Sequence, residues 1–272
     1  ETSGVGGSPP GPMTDFSQAG PFTVAKSTGT MPMPGCGFAN QMTHDLYVPM
    51  GGETAPLVAL GHGFQRNKDK MVEMANHMAS HGVRVVVPNF CHSSIGDTNH
   101  EQNAADLVTL VASLAGGAGV IYAGYSAGGT AAILAAKNDA STIALLGLDA
   151  VDSDGLAVAA VPQVAVPALG FVGESSSCNS SNNNGTFLVS LAPQGSSVRV
   201  HGATHCDFEG PTDFLCTGFC GGTMAGTQQL IKHLATAFVA WRSGVDSSGD
   251  QWVKSGGQKY EQLVKGGQLS AL

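Results

Sequence analysis

Charge is scarce in this chain. Only 12% of its 272 residues are charged, and 12 basic residues face 20 acidic ones, for a net charge of −8. An acidic chain without a basic run lacks the electrostatic footprint of a nucleic-acid or anionic-membrane binder. Long hydrophobic runs are missing too. The longest apolar stretches, such as Leu156–Val161, fall far short of the roughly 20 residues a membrane span needs, so no stable membrane insertion is expected. Paired Cys-x-x-Cys motifs, a phosphate-binding loop and a G-x-G-x-x-G fingerprint are all absent. His77 and His81 stand four apart, but Met78 occupies the place where an H-E-x-x-H zinc motif needs Glu. Asp152-x-Asp154-Gly155 lacks the other ligands of a calcium loop and reads as a turn. Neither a metal site nor a cofactor is implied.

What is present is core-forming material. Hydrophobic residues make up 42%, too many for a disordered chain and enough for a large core. The 38 glycines follow no collagen period and point to many tight turns. The six cysteines are an even number in a weakly charged sequence that begins at Glu1 with a Gly/Pro/Ser-rich stretch. This reads as a mature secreted, periplasmic or cell-surface chain with disulfides; the alternative is a cytosolic protein with free thiols. Fifteen pairings are possible, and Cys206 with Cys216 or Cys220 is the favoured local bridge.

Periodicity divides the chain into a flexible tail over 1–20, one domain over 21–243 and a peripheral tail over 244–272. Short strands are predicted at 45–48, 57–60, 83–87, 120–123, 142–148, 167–172 and 198–200. Helices are predicted at 71–81, behind Thr98 and Glu101 read as a capping box, at 127–137, and through Leu230, Leu234, Phe238 and Trp241. The 175–184 stretch reads as a polar, flexible loop containing two glycosylation sequons. Alternating strands and helices of these lengths predict an α/β fold with a mostly parallel, doubly wound sheet between helical layers. No insertion is long enough for a large lid domain.

Chemistry concentrates after the 120–123 strand, in Gly124-Tyr125-Ser126-Ala127-Gly128-Gly129. A G-x-S-x-G at a strand-to-helix turn lifts the serine hydroxyl above the sheet, and only glycine fits on either side. Ser126 is therefore the candidate nucleophile. A serine hydroxyl needs a base, and His205 follows the last strand in a Gly202-containing loop, with His201 a weaker choice. An acid must orient the imidazole. Asp149, at the end of the 142–148 strand, is the candidate, and Asp152 and Glu174 compete. Two backbone N–H groups must meet the developing oxyanion. Ala127 supplies one, and Phe64, in Gly61-His62-Gly63-Phe64-Gln65, supplies the other, with His62 holding that loop. Phe64, Gln65 and Tyr125 are the expected substrate contacts.

Together these residues resemble the α/β-hydrolase superfamily over about 43–242. Gly61-His62-Gly63-Phe64, Met78-Ala79-Ser80-His81-Gly82 and Val85-Val86-Val87-Pro88 are similar to chlorophyllases and to bacterial polyester hydrolases of the cutinase and PET-hydrolase type. Leu146-Gly147-Leu148-Asp149-Ala150-Val151 resembles the acid-bearing segment of chlorophyllases, which favours Asp149, and His205-Cys206-Asp207 fits their histidine loop. Tyr125 and Ala127 stand where plant chlorophyllases carry His and Arg, and the 150–155 loop lacks the Trp usual in polyester hydrolases. The resemblance implies a secreted, cofactor-free, monomeric serine esterase. Its substrate is expected to be a small-molecule, lipid or polyester ester. Alternatives are a chlorophyllase-like esterase of a bulky hydrophobic ester, a lidded lipase and a non-catalytic binding protein of this fold.

Overall fold

In the computed structural model, which describes residues 13–37 and 40–272, nine strands form one sheet. They are β1 (Val24–Pro32), β2 (Gln41–Pro49), β3 (Leu57–Gly61), β4 (Arg84–Pro88), β5 (Val120–Tyr125), β6 (Thr142–Leu148), β7 (Ala168–Val172), β8 (Gly195–Val200) and β9 (Leu269–Ala271). Their order is β1-β2-β4-β3-β5-β6-β7-β8-β9. The pairs from β4 to β8 are parallel; β1–β2, β2–β4 and β8–β9 are antiparallel. The interior strands are near-continuous runs of Val, Ile, Leu and Ala, as strands covered on both faces must be.

Helices complete the layers: α1 (Val72–Ser80), α2 (His100–Leu114), α3 (Ala127–Asn138), α4 (Leu156–Ala160), α5 (Phe214–Cys220), α6 (Ala225–Ser243), α7 (Asp250–Val253) and α8 (Gln258–Lys265). Two cores result, one on each face of the sheet. Alternate residues of β5 divide between them. Ile121, Ala123 and Tyr125 join Met74 and Met78 of α1 and Leu234 and Phe238 of α6. Val120 and Tyr122 face Leu107 of α2 and Ala131 of α3 on the other side. The chain runs from β3 outward to β4 and then crosses back to β5 on β3's other side. The strand order therefore reverses between β3 and β5, the position where open α/β sheets place a crevice beyond the strands' C-terminal ends.

Four local expectations are corrected. The cap of α2 is Asn99, whose side chain accepts from Gln102 N, and not Thr98. Asn is as good a cap as Thr, and the turn Ser94–Asp97 consumes Thr98 in a two-residue bridge. The proposed tail over 1–20 falls outside the described residues for 1–12, while 13–20 are docked. Phe16 is fully buried, edge-on to Trp252. The segment after Gly244 is likewise no peripheral tail. Trp252, Tyr260, Leu263 and Leu269 enter the core, and β9 closes the sheet edge. Its short polar-interrupted pattern hid this, and β1 escaped notice because most of its residues are exposed. Within the 175–184 stretch, read as a solvent-facing loop, residues 180–184 form a run of left-handed residues, and Asn179 and Asn182 are buried.

The docked N-terminal segment sits on histidines. His77 Nε2 donates to Phe16 O at 2.9 Å and His81 Nε2 to Gln18 O at 3.1 Å, which occupies the pair whose spacing suggested zinc. Burial pushes His77 and His233 down to about 4. His62 is also pushed by burial to about 4. Each folded value lies below the unfolded value of about 6.5, so on acidification the unfolded chain binds protons first. Stability is then complete above pH ~6.5 and falls as pH drops toward ~4, by up to ~1.4 kcal/mol per pH unit for each imidazole. Denaturation measured from pH 7 to pH 5 should show this loss, and His77→Gln should flatten it. An unchanged slope in the variant would exclude His77 as a contributor.

Candidate active site

Five loops meet beyond the C-terminal ends of β3, β5, β6, β7 and β8. Each carries one part of the site. Ser126, between β5 and α3, has φ +55° and ψ −127°, a conformation costly for any L-residue. It is held there by its neighbours. Ser126 N donates to Leu148 O, and Ser126 O accepts from Gly129 N and Val151 N. The glycine positions around it leave no room for a side chain. A Cβ on Gly124 would lie 2.1 Å from Gly128 O, and one on Gly128 would lie 2.4 Å from His62 O. On Gly63 it would come within 3.0 Å of Ser126 Cβ. Close backbone approach is thus what these glycines permit.

The structure brings Ser126, His205 and Asp149 into one hydrogen-bonded chain. His205 Nε2 lies 2.9 Å from Ser126 Oγ, and His205 Nδ1 lies 2.6 Å from Asp149 Oδ2. With Asp149 ionised, Nδ1–H is the donor and Nε2 is free to accept from the serine hydroxyl. His205 opens a 3-10 turn, His205–Phe208, fixed by reciprocal capping between Thr204 and Asp207. His205 and Asp149 are 4% and 2% exposed, so their pairing is shielded from water. Asp149 itself is anchored by Gly173 N at 3.0 Å and by Asn179 Nδ2 at 3.1 Å. The competing acids are engaged elsewhere. Asp152 Oδ1 caps Ala157 N, and Glu174 accepts from Gly202 N and lies beside Arg199 and His201.

The Phe64 and Ala127 amides face no acceptor among the described residues, and both residues line the cavity above Ser126. The loop that carries Phe64 is fixed by His62. His62 Nε2 accepts from Phe90 N and Nδ1 donates to Gly63 O, which requires the neutral imidazole its burial enforces. Gln65 lines the cavity with φ +56°, its N–H spent on Ser93 O. Tyr125 is 2% exposed; its ring lies 4.9 Å from that of His205 and it forms part of the cavity floor. The cavity measures about 690 Å³.

Three features of the site are not assigned to it by the sequence. The first is Asn179, which the sequence marks only as the start of a glycosylation sequon. The second is α5, a cavity wall stapled twice. Cys216 is bonded to Cys206, next to His205, and Cys220 to Cys178, next to Asn179. The third disulfide is Cys36–Cys91. Three disulfides point to an oxidising compartment, and among the described residues no helix is long and apolar enough to cross a membrane. The third feature is an ion-pair strut. Arg66, one residue beyond Gln65, binds Glu209 through Nε at 2.8 Å and through Nη2, and Asp213 through Nη1 at 3.0 Å. Burial opposes the Arg66 charge, and the two carboxylates more than restore it. Lys70 first and then Arg66 hold the Asp213 carboxyl far below its usual range. The strut joins the Phe64 loop to the segment just after His205.

Chemically, the arrangement can deprotonate a serine, hold the resulting imidazolium and offer two N–H donors to an anion beside it. No protein-family model matches the chain, and comparison with curated proteins finds no match.

The Arg66–Glu209 pair is almost fully buried, with side chains 7% and 0% exposed. Arg66→Met alone leaves an unpaired buried carboxylate and should cost about 3–5 kcal/mol of unfolding free energy. Arg66→Met with Glu209→Leu should recover much of that loss in guanidinium denaturation. A double variant no more stable than the single one would contradict the strut.

Proposed function

We propose that this protein is a serine hydrolase of carboxylic esters, built as an α/β-hydrolase and working outside the cytosol. The observation that carries this reading is the unbroken line from Ser126 Oγ through His205 to Asp149, with two unengaged amides beside the same cavity, Ala127 N at the Ser126 turn and Phe64 N on the loop after β3. Ser126 Oγ attacks the ester carbonyl as His205 Nε2 takes its proton. The tetrahedral oxyanion forms against the amides of Phe64 and Ala127, with the N-terminus of α3 adding its positive dipole end. His205 then returns the proton to the leaving alkoxide, which departs as the alcohol and leaves an acyl-Ser126. Water, deprotonated by His205, repeats the attack and frees the acid. Asp149 keeps His205 in the required tautomer and stabilises its charged form.

The cavity walls favour an apolar acyl chain. Phe64, Leu215 and Phe219 line it and are 39%, 48% and 77% exposed, and the adjoining Phe214 is 86% exposed. From Phe214 to Ile231 no residue carries a formal charge. This surface suits uncharged esters of lipid or polymer type and disfavours ionic ones.

The test is hydrolysis of p-nitrophenyl esters with C2 to C16 acyl chains. Ser126→Ala should abolish turnover. Asp149→Asn should keep the fold and lower kcat by about 10⁴-fold, since the imidazole is then held in the wrong tautomer. Turnover that survives in Ser126→Ala would overturn the assignment.

A further inference from the structure

One buried side chain in the cavity has no task in the mechanism above. His100, the first residue of α2, is 6% exposed and lines the same cavity as Ser126. Neither of its ring nitrogens has a hydrogen-bond partner among the described residues. Neither nitrogen is sealed away from accessible space, and the cavity is what they can reach. Around it the cavity turns polar. Thr98, Asp152, Ser153 and Asp154 line the cavity as well, and Asp152 and Asp154 lie near enough to His100 to act on its charge.

The chemistry of this end is restrictive. Two carboxylates exclude an anionic ligand group. Arg66, the cation on the cavity wall, has its guanidinium nitrogens committed to Glu209 and Asp213. Burial lowers the His100 pKa while Asp154 and Asp152 pull weakly the other way, so the imidazole stays neutral. A neutral imidazole offers one donor and one acceptor. That matches a hydroxyl, which is both. It does not match a quaternary ammonium, which has no proton to give and finds no aromatic cage here. Asp152 keeps one oxygen beyond its bond to Ala157 N and can accept from a second hydroxyl.

We propose that the polar end of the cavity, centred on His100 with Asp152, binds the hydroxyl groups of a polyhydroxy alcohol, so that the preferred substrates are apolar acyl esters of a glycerol- or sugar-type polyol. This rests on Ser126 being the nucleophile, yet the site can be probed without turnover. In Ser126→Ala protein, the imidazole NMR signals of His100, assigned by their loss in a His100→Leu variant, are followed during titration. The probes are glyceryl monobutyrate, methyl 6-O-butyryl-glucoside and butyl butyrate. Saturable shifts with one or both hydroxylated esters, and none with butyl butyrate, support the site. A response to only one of them identifies triol or sugar as the source. No shift with either, or an equal shift with butyl butyrate, overturns it.

A kinetic arm separates the two readings. In the otherwise wild-type enzyme, His100→Leu should raise KM for the hydroxylated ester about three- to ten-fold more than for butyl butyrate, the worth of one neutral hydrogen bond. His100→Gln, which keeps a donor and an acceptor, should restore part of that preference. Equal losses on both esters, with no recovery in His100→Gln, would make His100 structural only. If the wild type cleaves no ester while the NMR shifts persist, the hydrolase reading fails and the polyol site stands.

Discussion

The backbone at Ser126 is the constraint from which the rest of the site follows. A residue held at φ +55° cannot relax into the helix it precedes. The hydroxyl is left above the sheet because β3, β5 and the start of α3 approach more closely than any side chain would allow. Gly63, Gly124 and Gly128 are the residues that permit it. The strained serine, the free Ala127 amide and the helix dipole are three consequences of one turn. Everything else in the crevice is arranged to meet that fixed point.

Meeting it requires order in loops that have little secondary structure of their own. The molecule achieves this with covalent and ionic ties instead of extra helices. One short helix, α5, is bonded by Cys216 to the residue after His205 and by Cys220 to the residue before Asn179. His205 and Asp149 are therefore fastened to the same wall. Arg66 fastens the Phe64 loop to the same region through Glu209. In a chain with so few charged residues, burying three of them in one network (Arg66, Glu209 and the half-buried Asp213) is a concentrated expense. The network ties the Phe64 loop to the segment that follows His205.

Much of this was legible in the residues themselves. Runs such as Leu57–Leu60 and Val85–Val87 are buried strands because their pattern allows little else, and the G-x-S-x-G turn acquires meaning from the strand before it. Chain order and strand ends point to Ser126, His205 and Asp149, and the structure brings those three side chains into contact. What was illegible depends on distant partners. Asn179 differs from its Asn and Ser neighbours only because Asp149 lies beside it. Glu209 has no motif until Arg66 is folded against it. Phe16 and Trp252 look like tail residues because each lies in a mostly polar stretch; in the fold they pack edge-on against each other. Asn99 displaced Thr98 as a cap because a tight turn, invisible to capping statistics, had already claimed Thr98.

The central claim, that Ser126 is an activated nucleophile, is tested most directly by intact-protein and peptide mass spectrometry after exposure to a fluorophosphonate. The account predicts one phosphonyl adduct, on the peptide containing Ser126, formed quickly in the wild type and far more slowly once His205 is replaced by Ala. A wild-type protein that remains unlabelled, or one labelled at another residue with Ser126 untouched, would contradict it.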